Sequence, residues 1–132
     1  MIPNFRAWNK ENKKMIDVDI LNWNNGEVDF IGDGITFILK AKDIKLMQST
    51  GLTDKNGKEI FEGDIIAINL EGIETPITAK VFQNRKIGIL MFHAFEDNED
   101  VPMVELLEGN SVEFAIIGNI WENPELTEVN HD

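Results

Sequence analysis

The sequence predicts a mainly β fold, either a small barrel or twisted antiparallel sheets, in a single domain over residues 1–132, with an N-terminal hairpin and short C-terminal helical turns. Three observations predict it. Short apolar stretches alternate with period two, the spacing at which one face of a strand meets a core. Turn-forming residues punctuate those stretches at short intervals. Finally, 132 residues that are 42% apolar, with 10 glycines besides, hold enough material for one packed core without disulfides or metal.

Residues 5–8 form the first predicted strand and 9–14 a polar turn. Residues 15–23 alternate, with Ile16, Val18 and Ile20 on one face and Asp17 and Asp19 on the other, which completes the hairpin. Asn24-Asn25-Gly26 and Gly32-Asp33-Gly34 carry turn chemistry, because Asn and Gly reach positive φ at little cost. Residues 27–31, 35–40 and 44–50 read as strands around them. Residues 51–64 hold no apolar run but are dense in Gly, Asp, Asn and Lys, and read as an ordered loop around Lys55-Asn56-Gly57. Strand character resumes over 65–70, and residues 77–83 and 87–92 form a hairpin through Asn84-Arg85-Lys86. Residues 101–107 make one helical turn or two, with Asp100 as cap and Pro102 in the first turn. Residues 112–121 are an apolar strand, and Asn123-Pro124 starts a short helical turn. The total is about eight short strands, with Phe30, Phe37, Phe82, Phe92 and Phe114 in the core.

Composition removes whole classes of function. With no cysteine there is no disulfide, no thiolate zinc site and no cysteine nucleophile. The longest apolar run, residues 87–92, falls far short of the ~20 residues of a membrane span. The first six residues lack the basic start and long apolar stretch of a signal peptide, so a cytoplasmic protein is expected. The net charge is −12 and unevenly spread: residues 1–66 carry 9 basic and 11 acidic side chains, residues 67–132 carry 3 and 13. After Lys86 there are 11 acids and no lysine or arginine. Direct nucleic-acid binding is disfavoured, because phosphate contacts need clustered lysine and arginine, and Lys10, Lys13 and Lys14 are the nearest approach to a cluster. For the same reason Trp8, Trp23 and Trp121 are not read as a base-stacking surface.

The reactive inventory is thin. Two serines, two histidines and no tyrosine offer little for a nucleophile, and Ser111 lacks the second glycine of a nucleophile elbow. No phosphate-loop or dinucleotide glycine pattern occurs, so no cofactor is expected. Asp54-Lys55-Asn56-Gly57-Lys58 begins like a calcium loop but puts Gly fourth and Lys fifth, and Glu96-Asp97-Asn98-Glu99-Asp100 lacks the glycine bend, so both read as turns and no metal site is expected. No catalytic residue is assigned.

Three blocks of the chain, Phe5-Arg6-Ala7-Trp8-Asn9-Lys10 with Lys13-Lys14-Met15, Met47-Gln48-Ser49-Thr50-Gly51-Leu52-Thr53-Asp54-Lys55-Asn56-Gly57-Lys58-Glu59-Ile60-Phe61-Glu62-Gly63-Asp64-Ile65-Ile66, and Ile117-Gly118-Asn119-Ile120-Trp121-Glu122-Asn123-Pro124-Glu125-Leu126, resemble the YopX family of small phage and prophage proteins. They occur in family order. Phe61, Trp121 and Ser49 stand where the family more often has tyrosine or another aromatic residue. The resemblance implies a YopX-like β fold and a phage or prophage accessory protein, cytoplasmic in the bacterial host. It supplies no catalytic residues.

Within the central block, Gly57 and Gly63 suit positive φ and Asp54 and Asp64 suit bonding to the backbone of their own turns. Gln48, Thr50, Glu62 and Asp64 are the binding candidates, and Glu96, Asp97, Glu99 and Asp100 form a candidate acidic interaction surface. The expected role is non-enzymatic, through contacts with a protein partner and with homo-oligomers as an option. The alternatives are an acidic nucleic-acid mimic that occupies a basic host protein, or a carboxylate-based ligand-binding protein or enzyme around Glu62 and Asp64.

Overall fold

The structure, a computed structural model, describes residues 4–32, 38–108 and 111–128. Of these, 59% lie in strands and 9% in short helical turns, so the chain is mainly β as the period-two pattern predicts. It falls into two compact units, Met1–Ser49 and Thr50–Asp132.

The first unit holds β1 (Phe5–Asn9), β2 (Lys14–Val18), β3 (Ile20–Asn24), β4 (Glu27–Gly32), β5 (Ile38–Lys40), a 3-10 turn (Ala41–Asp43) and the first half of β6 (Ile44–Thr53). Strand β1 pairs antiparallel with β2 on one side and β6 on the other, so that Ala7 faces Ile16 and Leu46 at once. Strands β3, β4 and β5 form a second antiparallel sheet. Ala7, Ile31 and Ile44 are buried together, with Ile16, Val18, Leu21, Val28, Leu39 and Leu46 packed against them. Asn25 and Gly26 join β3 to β4 with φ of 53° and 81°, the two positive values of a type I′ turn, whose twist matches that of the strands it joins.

The single strand expected over residues 15–23 is broken. Strand β2 ends at Val18, opposite Phe5, where its partner β1 begins. Asp19 N then donates to Gly32 O at 3.3 Å and the chain enters the other sheet. Ile20, expected on the core face, points outward at 42% exposure while Leu21 packs inward. The strand expected over 35–40 is seen as β5. Residues 33–37, and with them Phe37 and most of the Gly32-Asp33-Gly34 turn, lie outside the described residues, as does the side chain of Phe30.

The second unit continues with the end of β6 beside β7 (Glu59–Phe61), then β8 (Asp64–Leu70), β9 (Ile77–Asn84), β10 (Ile89–Ala94), β11 (Glu99–Pro102), one helical turn α1 (Val104–Leu107), β12 (Val112–Asn119) and a 3-10 turn (Pro124–Thr127). Five strands form one antiparallel sheet in the order β11-β10-β9-β8-β12. Its inner face alternates as a half-buried sheet must. Ile66 and Ile68, Ala79 and Val81, Phe92 and Ala94, and Phe114 point to one core, which Ile60 of β7 and Met103 complete. Phe92 and Phe114 are core as expected. Phe82 is half-buried on the other face, with Lys80 Nζ 5.8 Å from its ring centre.

Four further expectations are corrected here. Residues 51–64 are not one loop: β6 runs on to Thr53 and β7 returns beside it, so only the turn around Asp54 and Gly57 is loop. The helix expected from Asp100 and Pro102 does not start there. Residues 99–102 pair with β10, Glu99 opposite Ala94 and Pro102 opposite Met91, and Pro102 is tolerated because β11 is an edge strand. The helical turn begins at Val104, after Met103, which already has helical φ and ψ and gives no side-chain cap. Strand β12 stops at Asn119 rather than 121, with a register shift between Ile116 and Gly118 that leaves Ile117 44% exposed. The described strands number twelve rather than about eight. Among the described residues no helix is long and apolar enough to cross a membrane.

Candidate functional site

The central block builds a set of self-satisfied turns. Asp54, 7% exposed, accepts the N–H groups of Asn56 and Lys58 on Oδ1 (2.9 Å each) and that of Ile116 on Oδ2 (3.2 Å). Lys55 N donates to Phe114 O at 2.8 Å, so this turn is stitched to the outer edge of β12. The backbone N–H of Lys58 is the largest influence holding the Asp54 carboxyl below its ordinary pKa, since donors to a carboxylate favour its charged form; partial burial opposes it. Thr50 Oγ1 donates to Ile60 O at 2.7 Å and accepts from Leu52 N at 3.1 Å, which ties β6 to β7.

Between β7 and β8 the chain turns at Glu62-Gly63. Gly63 has φ of 85°, as expected, and Gly57 has 80°. Gly63 N donates to Val81 O and its carbonyl accepts from Ile120 N, both at 2.9 Å, so its peptide groups are clamped from two sides. Asp64, 1% exposed, accepts Phe61 N on Oδ2 at 2.8 Å. The Glu62 side chain is 16% exposed and takes Arg85 Nη2 at 3.0 and 3.4 Å. Asn119, opposite Asp64, accepts Trp121 N (3.0 Å) and Glu122 N (2.8 Å) on Oδ1, while its own N–H donates to Asn123 Oδ1 at 3.2 Å. The structure thus brings residues 60–64 and 117–123, two blocks far apart in sequence, to one place.

Of the four binding candidates, Thr50, Glu62 and Asp64 therefore spend hydrogen-bonding capacity within the fold, and Gln48 is exposed on β6. A hollow of about 490 Å³ lies between the end of β8 and the start of β12, lined by Asn69, Leu70, Glu71, Ser111, Val112 and Glu113. None of those four lines it. Trp8 is buried and Trp23 is 55% exposed, so the three tryptophans share no common exposed face.

The acidic candidates are the exposed ones. Glu96 and Asp97 lie in the turn between β10 and β11, Glu99 and Asp100 in β11 itself, and all four are open to solvent. Asn98 in the same turn has φ of 53°. Asp100 Oδ1 sits 2.7 Å from His93 Nδ1, and His93 meets the Phe95 ring edge-on at 5.6 Å. Sequence reasoning missed this pair because it placed a helix at 101–107. The signal was available: a hairpin centred on Glu96-Asp97 makes His93 and Asp100 cross-strand partners.

The YopX protein family matches residues 4–128. Among solved structures, protein EF1440 from Enterococcus faecalis is 27% identical over 97% of this chain and 99% of its own, with a TM-score of 0.57. The yopX protein from Bacillus subtilis is 19% identical, covers 95% and 98%, and has a TM-score of 0.63, a likeness of fold. No curated protein matches the sequence.

Proposed function

The chain belongs to the YopX family, and from that premise we propose that it is a phage or prophage accessory protein of the bacterial cytoplasm that acts through protein contacts rather than catalysis. The observation that carries the reading is the contrast between its two sets of polar residues. Asp54, Asp64, Thr50 and Glu62 are engaged in holding turns and strands. Glu96 and Asp97 in the β10–β11 turn and Glu99 on the edge strand β11, by contrast, stand exposed. An exposed edge strand is a natural contact surface, and its charges select a basic partner while discouraging edge-to-edge aggregation.

The acid run after Lys86 favours one sharper version, in which this surface imitates a phosphate backbone and occupies a host nucleic-acid-binding protein. Affinity capture from host lysate at 50 and 500 mM salt tests both, using the wild type and the triple change Glu96→Lys, Asp97→Lys, Glu99→Lys. The expected result is a partner held at low salt, released at high salt and lost with the triple change, while the dichroism spectrum stays that of the wild type. Displacement of that partner by duplex DNA identifies the mimic. A partner that binds the triple variant with undiminished affinity overturns the assignment to this edge.

A further inference from the structure

The lysines of the N-terminal unit converge. Residues 1–49 carry seven basic and seven acidic side chains, and residues 50–132 carry five and seventeen, so the whole net charge of −12 belongs to the second unit. Within the first unit, Lys10, Lys13 and Lys14 occupy the β1–β2 turn, and Lys40, Lys42 and Lys45 surround the 3-10 turn before β6. The fold joins the two groups. Lys10 N donates to Asp43 O and Lys10 Nζ to Lys42 O, each at 3.1 Å. Asn9 of β1 faces Lys14 on one side and Ile44 on the other, and Trp8 faces Lys45. Lys14 and Lys45 thus stand on strands either side of β1 but one register step apart, so their side chains leave opposite faces of the sheet beside the same turn.

All six lysines are exposed. Among the described residues none is ion-paired to a carboxylate, although Glu11 and Asp43 lie within the same two segments, leaving a local net charge of +4. Lys13 adopts φ of 56°, a conformation that L side chains rarely take, where glycine or asparagine would be easier. A hairpin tip that keeps lysine there keeps it against local backbone preference.

We propose that this lysine end is a docking surface for a second copy of the same chain, and that its counterpart is the acidic β10–β11 edge, Glu96, Asp97, Glu99 and Asp100. Charge complementarity argues for that occupant: the β10–β11 hairpin carries four exposed carboxylates, Asp100 of them 2.7 Å from His93 Nδ1, against a local net charge of +4. A phosphate backbone is the less suited polyanion. Glu11 and Asp43 interrupt the patch, Trp8 beside it is buried and presents no ring to a base, and the chain as a whole is strongly negative. The contact joins two different patches, so it closes as a two-fold dimer where both pairs of patches meet at once and otherwise builds a ring or an open chain. This deepens the reading of the acidic edge given above. Purified protein alone tests it, so its failure leaves a host partner standing, and failure to find a host partner leaves self-association standing.

The test is a charge exchange read by light scattering during size-exclusion chromatography at 100 mM salt. Wild type is expected to elute as multiples of 15.0 kDa and to dissociate at 500 mM salt. Lys10→Glu, Lys13→Glu, Lys14→Glu should run as monomer, and so should Glu96→Lys, Asp97→Lys, Glu99→Lys. An equimolar mixture of the two should reassemble, because each reversed surface then meets its opposite. Lys42→Glu with Lys45→Glu repeats the first arm without altering the hairpin turn. A wild type that is monomeric at 100 mM salt overturns the proposal, as does association untouched by either reversal, or monomers that do not reassemble on mixing. A lysine end that binds a DNA duplex while the protein stays monomeric assigns the patch to phosphate and overturns it as well.

Discussion

Gly118→Ala is the substitution whose cost the structure defines most directly. Gly118 lies just past the register shift in β12, and a Cβ there would sit 2.6 Å from Asn123 Oδ1, 2.8 Å from Asn123 Cγ and 2.9 Å from Leu126 Cδ1. The leucine methyl is the free end of a flexible, half-buried side chain and can swing away. Asn123 is held, because its Oδ1 accepts the N–H of Asn119. Displacing it gives up a hydrogen bond worth about 0.5–1.5 kcal/mol, and crowding a packed site adds about 1–3 kcal/mol. Together the loss is about 1.5–4.5 kcal/mol, and for a urea m-value of roughly 2 kcal/mol/M the midpoint falls by about 1–2 M.

The assay is urea denaturation of four proteins: wild type, Gly118→Ala, Asn123→Ala and the double variant. Because Asn123→Ala removes the two closest atoms, Gly118→Ala should cost at least about 1 kcal/mol less in that background, a coupling typical of residues in contact. Two results refute the reasoning: a Gly118→Ala midpoint equal to that of the wild type, or an equal cost of Gly118→Ala in both backgrounds.

Gly63→Val should lower the thermal midpoint by several degrees, since a β-branched residue at φ of 85° costs about 1–3 kcal/mol; an unchanged Tm refutes it. Asp54→Asn should destabilise the protein at pH 7. The folded carboxyl lies below its ordinary value of 3.8, so its contribution is present above that value and is lost as pH falls through the lowered one. The gap between wild type and variant should therefore close below about pH 3.8, and a gap of equal size at pH 7 and pH 2.5 counts against the assignment. The single domain expected from the sequence predicts coincident unfolding of single-tryptophan variants that keep Trp8, in the first compact unit, or Trp121, in the second; two separate midpoints would divide the chain into two domains.

What the sequence determined by itself is the chemistry that acts within a few residues. The β class, the turn at Asn25-Gly26, the positive φ of Gly57 and Gly63, and the bonding of Asp54 and Asp64 to their own turns all follow from side chains reaching backbone close by. The family resemblance was likewise written in residues 5–126. Only the tertiary structure decided which strand pairs with which. Residues 15–23 alternate without interruption, yet they split at Asp19 because β1 offers no partner beyond Phe5. Asp100 and Pro102 carry helix-start chemistry, yet they join β11 because Met91–Ala94 of β10 lies alongside and pairs with them. That pairing sets His93 against Asp100, and pairing across β1 brings the turn that carries Lys10, Lys13 and Lys14 beside the segment that carries Lys42 and Lys45, about 30 positions further along the chain. Alternation says only that a strand has two faces, whereas partner, register and edge depend on groups distant along the chain that only packing brings together.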